Sequence, residues 1–101
     1  MATNKMRPIH PGEILREEFL APLGMSAHAL AMELRVPAPR INDIVRERRT
    51  VTPDTALRLA RYFGTTPQFW LNLQSSFDLK QAAGEIGPRI EQEIRPLRQA
   101  A

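Results

Sequence analysis

The chain contains no cysteine, which excludes disulfides, thiolate metal sites and cysteine nucleophiles together. It has no apolar run approaching the roughly 20 residues that span a bilayer. Nor does the opening Met1–Met6 carry an apolar stretch behind its charge, so no secretory signal is expected and the cytoplasm is the expected compartment. Sheet is equally unsupported, because no four consecutive residues alternate apolar and polar with β-branched enrichment. The five glycines form no phosphate-cradling loop. His10 and His28 stand 18 residues apart without partners at zinc or iron spacing, so no metal and no cofactor is expected. Glu13, Glu17 and Glu18 lie along one predicted helix, yet paired carboxylates act only across a cleft. They read as a solvated face, or as a surface for a basic partner. With these classes removed, what remains is a binding protein and not an enzyme.

What is present is ordinary globular material: 101 residues, 43% hydrophobic and 25% charged, enough for one domain with its own core. The net charge of +3 is unevenly spread. Between Arg35 and Arg61 stand seven arginines (Arg35, Arg40, Arg46, Arg48, Arg49, Arg58, Arg61) and three acids (Asp43, Glu47, Asp54). The rest of the chain is slightly acidic. A surplus gathered into one 27-residue block suits a polyanion; a solvated basic face is the plain alternative.

All the periodicity is helical. Pro8 and Pro11 lead into a helix predicted over Gly12–Leu20, with Ile14, Leu15 and Phe19 apolar, ending ahead of Pro22 and Gly24. Ser26 suits an N-cap, since its hydroxyl accepts an orphan backbone N–H. The short helix after it has Ala27, Leu30, Ala31 and Leu34 on one face. Pro37 and Pro39 drive the residues before them out of the helical region, which marks a turn at Arg35–Ala38. Pro39 then suits the first position of the third helix, whose buried stripe is Ile41, Ile44 and Val45. Thr52 and Pro53 open a fourth helix over Asp54–Phe63, with Ala56, Leu59, Ala60 and Phe63 inward and Gly64 closing it. Thr66 and Pro67 open a fifth, with Phe69, Trp70, Leu73 and Phe77 apolar; Trp70 keeps the helical period and reads as core, not as a platform for bases.

Past Leu79 the pattern changes. Gly84 and Gly87-Pro88 are expected to interrupt the helix, while Ile86, Ile90, Ile94 and Leu97 keep an amphipathic stripe. Such a stripe packs back on the fifth helix, meets a second copy, or is poorly ordered. The expectation is therefore an all-α, five-helix domain over residues 1–79 with a C-terminal helical extension over 80–101.

A helix, a tight turn and a second helix resting on the first is the arrangement that frees one helix for the major groove. With Ile41, Ile44 and Val45 turned inward, the third helix offers Arg40, Asn42, Asp43, Arg46 and Glu47 outward, with Ala38 and Pro39 at its start. Asn and Arg read adenine and guanine edges, Asp accepts from cytosine, and Ala or Pro meets a thymine methyl. Arg46, Arg48, Arg49 and the Thr50 hydroxyl follow where the phosphates run. Asp43 and Glu47 have a second reading, as helical ion-pair partners of Arg40 and Arg46. One short helix reads few base pairs, so a homodimer on paired half-sites of operator DNA is expected, with its contact on the fifth helix and the Ile86–Leu97 stripe.

The string Ser26-Ala-His-Ala-Leu-Ala-Met-Glu-Leu-Arg-Val-Pro-Ala-Pro-Arg-Ile-Asn-Asp-Ile-Val resembles the helix-turn-helix of phage-repressor-like (lambda-repressor-like, XRE) regulators. Arg7-Pro-Ile-His-Pro-Gly-Glu-Ile-Leu, Thr52-Pro-Asp-Thr-Ala-Leu-Arg-Leu-Ala-Arg-Tyr-Phe-Gly-Thr-Thr and Pro67-Gln-Phe-Trp-Leu-Asn-Leu-Gln are similar to HigA-family antitoxins, and Arg46-Glu-Arg-Arg to the GraA-like members. The resemblance covers about Arg7 to Leu79. It implies a homodimer that represses its own operon and neutralises a small basic, RelE/HigB-like ribonuclease toxin. It implies base-reading positions at Ala38, Pro39, Asn42 and Asp43, and phosphate-facing positions at Ser26, Arg40, Arg46 and Arg49. Three positions depart from the pattern: Arg35 replaces a turn glycine, Pro37 a hydroxyl cap, and Glu47 a frequent glycine. The readings beside this one are a solitary regulator without a toxin, and a helical adaptor that binds protein alone.

Overall fold

Five helices follow one another in the order that the prolines and caps predict, and no strand occurs among the described residues. The computed structural model describes residues 7–98; the reading of Met1–Met6 and the last three residues of the 80–101 extension lie outside them. The first helix, α1, is built of three continuous stretches: an α-turn Pro11–Ile14, a π-helical segment Leu15–Leu20 and a closing turn Ala21–Leu23. His10 caps it, its Nδ1 accepting the Gly12 N–H at 2.8 Å. The sequence reading ended this helix ahead of Pro22, and that is corrected, for α1 runs through the proline. The Ala21 N–H bonds back five residues to the Arg16 carbonyl, and the wider turn relieves the clash a proline ring meets in a tight α-turn.

Then come α2 (Ala27–Leu34), α3 (Ala38–Val45), α4 (Pro53–Phe63) and α5 (Pro67–Glu93). Ser26, Thr52 and Thr66 each cap the helix that follows, accepting from the N–H three residues on. The core is Leu15 and Leu20 from α1, Leu30, Ala31 and Leu34 from α2, and Ile41 and Ile44 from α3. Val51, Ala56, Leu59 and Trp70 close it. Trp70 is fully buried, as its period implied, and its indole N–H donates to Thr65 Oγ1 at 2.8 Å. Full burial of each large member is worth about 1.5–3 kcal/mol, so the small helices owe their stability to this packing more than to propensity.

The second correction concerns the tail. Gly84 and Gly87-Pro88 do not interrupt it: α5 continues through them as one helix of 27 residues. Pro88 forfeits a single backbone bond, and Gly87, lacking a Cβ, removes the crowding that a residue ahead of proline normally meets. Because the last buried side chains of α5 are Trp70 and Gln74, its second half leaves the core behind. The extension therefore neither folds back nor loses its helix up to Glu93, and the molecule measures 57 × 24 × 23 Å.

Candidate nucleic-acid interface

Three helix ends shape the region around α3, and they share one geometry. At Gly24, Arg35 and Glu47 the chain turns left-handed, with φ of 62°, 60° and 63°. Around each, two N–H groups bond back across the turn. Met25 and Gly24 reach Leu20 and Ala21, Val36 and Arg35 reach Ala31 and Met32, and Arg48 and Glu47 reach Asp43 and Ile44. This is the Schellman arrangement, which favours glycine at its left-handed position. Arg35 and Glu47 carry a Cβ there, at a cost of about 1–2 kcal/mol each. The α2–α3 turn thus strains a side chain and does not avoid the left-handed region.

The third helix begins at Ala38, one residue ahead of the expected Pro39. Pro37, extended at φ −61° and ψ 141°, takes the capping place without a side-chain bond, and its carbonyl accepts the Arg40 N–H at 3.0 Å. Ile41 and Ile44 are fully buried; Val45 is half-buried. Four residues that sequence reasoning did not assign to the site hold this helix and the segments flanking it in place. Gly12 of α1 lies so close that a Cβ there would fall 1.7 Å from the Ile44 carbonyl oxygen. Arg16 donates to the Val45 carbonyl and reaches Glu47 Oε2 at 3.5 Å. Arg58 of α4 donates to the Leu34 carbonyl at 2.8 Å. Gln74, buried on α5, accepts the Val51 N–H at 2.8 Å and donates to Asp78 at 3.1 Å, which anchors the segment after α3. Gln74 was the visible clue: a polar residue four places after Trp70 on an apolar stripe.

The sequence-predicted residues stand at the start of α2 (Ser26), along α3 and in the segment after it to Thr50, with Arg40, Arg49 and Thr50 lining one cleft. Ser26, Pro39, Arg46, Arg48, Arg49 and Thr50 are exposed; Arg40, Asn42 and Asp43 are half-buried. Ala38 is half-buried and packs against the core, so only part of its methyl faces outward. The ion pairs differ from the helical ones first read. Asp43 pairs with Arg49 at 3.7 Å, Glu47 with Arg16, and Asp54 with both Arg40 (3.1 Å) and Arg58 (2.7 Å). Hydrogen bonds from Arg58 and Arg40 hold the Asp54 carboxyl below the usual carboxylate range. Each acid of the basic block is thus neutralised, while Arg46 and Arg48 have no ion-pair partner among the described residues. Beside the segment after α3, in a cavity it shares with Glu47, Arg48, Arg49 and Thr50, burial holds the His10 imidazole below its ordinary pKa, and its ring meets Phe77 edge-on at 4.8 Å.

A small helix pair presenting a mixed reading face flanked by free guanidinium groups is suited to the major groove and its phosphates. Residues 15–70 match the helix-turn-helix family (HTH_3). The fold is also similar to that of the Pseudomonas aeruginosa antitoxin HigA, solved with the higBA promoter, at a TM-score of 0.90 and 56% identity, covering 91% of this chain and 100% of that one. The chain belongs to the HigA antitoxin branch of the helix-turn-helix family. Similarity extends to antitoxin GraA in complex with its operator (TM-score 0.88, 53% identity, 93% of this chain and 95% of that one). Virulence-associated protein I of Dichelobacter nodosus is 65% identical over 79 residues, 78% of this chain and 73% of that protein. This HigA-family chain has, among its described residues, no helix long and apolar enough to cross a membrane and no group of three or more His, Asp or Glu placed to hold a metal ion.

Proposed function

We propose that this chain is a DNA-binding repressor and antitoxin of the cytoplasm: a homodimer that occupies the operator of its own operon and neutralises a small basic ribonuclease toxin of the RelE/HigB type encoded beside it. The observation that carries the DNA reading is the surface of α3. Ile41 and Ile44 fix the helix, Asn42 and Asp43 stand half-buried on it, and Arg46, Arg48 and Arg49 follow exposed at its end. Its likeness to HigA and GraA structures solved with promoter or operator DNA supports the same use here. Ala38, Pro39, Asn42 and Asp43 are the base-reading set; Ser26, Arg40, Arg46, Arg48, Arg49 and Thr50 form the phosphate-facing set.

The second half of α5 supports the dimer. Leu79, Ile86 and Ile90 are exposed on it, and Ile94 and Leu97 are exposed past its end; Ala82, Ala83 and Gly87 line a shallow apolar groove of about 360 Å³ with the first three. Neither Gly84 nor Gly87 is required by anything this chain packs against them, although each costs about 1 kcal/mol against alanine in a helix. Small residues there let a second helix approach closely. On this reading residues 80–101 are the dimerisation extension of the domain at 1–79.

The test is a salt titration with duplexes enriched by the wild-type chain from a random-sequence pool, beside scrambled duplexes. Affinity should fall steeply with salt. Arg46→Gln should weaken binding to both duplexes alike, whereas Asn42→Ala should cost about 1–3 kcal/mol on the enriched duplex and blur one base pair. Absence of binding at low salt sinks the DNA reading. For the antitoxin reading, co-expression with the product of the adjacent open reading frame should restore growth that the adjacent product alone arrests.

A further inference from the structure

We propose that Asp54 is an intramolecular competitor for Arg40, holding its guanidinium away from phosphates on non-specific duplex and releasing it only when α3 is seated in its operator. Asp54 would then temper DNA affinity without touching a base, because seating α3 has to break the pair first. The proposal rests on the DNA-binding reading above.

The geometry begins with a cleft of about 190 Å³ between the start of α3 and the start of α4, lined by Arg40, Arg49, Thr50, Thr52, Asp54 and Thr55. Two guanidinium groups and the exposed Thr50 hydroxyl form a donor set that fits the oxygens of a phosphodiester. The cleft already contains an anion, however. Asp54 Oδ2 takes the Arg40 Nη1 donor at 3.1 Å, so an approaching phosphate meets an arginine already engaged by a carboxylate.

The carboxylate is anchored, and this separates a competitor from a passive neighbour. Its second oxygen accepts from Arg58 Nε at 2.7 Å, and Arg58 is itself bonded to the Leu34 carbonyl at the end of α2. Asp54 is therefore tied to the backbone of α2 through α4, whereas Arg40 rides on α3. Arg40 cannot reach outward with its partner in tow; it leaves the pair or stays in it. An exposed pair of this kind is weak, weak enough for a well-placed phosphate to break and strong enough to bias a loosely placed one. Arg46 and Arg48 lack any such restraint and grip every sequence alike.

Asp54→Asn keeps the shape and removes the charge. On scrambled duplex it should tighten binding by about three- to tenfold and steepen the salt dependence by about 0.9 for each α3 docked. Affinity for the enriched duplex should rise by at least as much, because seating α3 there no longer has to break the pair. In an Arg40→Gln background the gain on scrambled duplex should vanish. Asp54→Ser also removes the carboxylate while keeping a residue compatible with the first turn, and it carries the same expectations if Asp54→Asn melts. A gain that survives Arg40→Gln, or no gain at all, overturns the proposal while leaving the DNA reading intact. A wild-type chain that binds neither duplex overturns the reading beneath it.

Discussion

Gly12→Ala adds one methyl group where α1 crosses the end of α3. The new Cβ would lie 1.7 Å from the Ile44 carbonyl oxygen and 2.8 Å from its carbonyl carbon, against an ordinary carbon–oxygen separation of about 3.3–3.6 Å. The obstacle is backbone and cannot rotate aside. It is also pinned, because Ile44 is fully buried and the neighbouring Val45 carbonyl is held by Arg16. Relief requires the two helices to part by more than about 1.5 Å, which opens the core around Leu15 and Ile41. Overpacking of this kind costs about 1–3 kcal/mol, occasionally more, and a backbone clash this deep belongs at or beyond the upper end. Alanine's better helix propensity returns about 1 kcal/mol. The net loss is about 2–3 kcal/mol, which for a domain of this size lowers the melting temperature by about 10–20 °C. Thermal unfolding followed by helical circular dichroism measures it directly. Because the displaced element is the reading helix, binding of the folded variant to the enriched duplex should fall by at least about tenfold, or about 1.4 kcal/mol, and by much less on scrambled DNA. A variant melting within about 3 °C of wild type would refute the close approach.

Arg35→Gly relieves the left-handed residue between α2 and α3 and should raise stability by about 1 kcal/mol; an unchanged or lower melting temperature contradicts the strain. For pH, the neutral form of His10 is the one that caps α1, and burial lowers its pKa. The unfolded chain thus takes the proton first, and stability is complete above about pH 6.5 and lost as pH falls below it. His10→Asn, whose amide oxygen accepts the same N–H, should flatten the decline of melting temperature between about pH 7.5 and 5.5, and an equally steep decline would exonerate His10. Truncation after Leu79 should yield a monomer by light scattering; a dimer would move the seam elsewhere.

The helix starts were legible because they are written in local chemistry. Ser26, Thr52 and Thr66 accept N–H groups three residues away, and Pro53 and Pro67 suit the first position without help from the fold. The buried stripes of α2 to α4 followed from the helical period for the same reason. Pro22 misled because the π-helical turn that accommodates it depends on packing around Leu15 and Leu20, and no single residue announces it. Gly84 and Gly87-Pro88 misled because breakers act by summed propensity, and a long helix already nucleated in the core tolerates a few unfavourable residues. Most of the expected site residues are exposed or half-buried. The wiring of the site was not legible: Arg40 with Asp54 and Arg16 with Glu47 are pairs 14 and 31 residues apart, and only the fold makes them neighbours. Gly12 stood in the motif that carried the family resemblance, but its reason, the backbone of α3 against its Cα, appears only in three dimensions.

The unbroken run of α5 has a consequence for the DNA that such a dimer would accept. The half of the helix that begins at Pro67 is bolted to the core by Trp70 and Gln74, and the half that ends at Glu93 bears the exposed apolar residues Leu79, Ile86 and Ile90. A single rigid rod thus serves as both axle and ruler. In the proposed dimer its register would set the distance and the rotational phase between two reading helices. One residue inserted near Leu79 would turn the domain by about 100° and advance it by about 1.5 Å relative to the seam, leaving each half able to grip DNA and the pair out of step with the double helix.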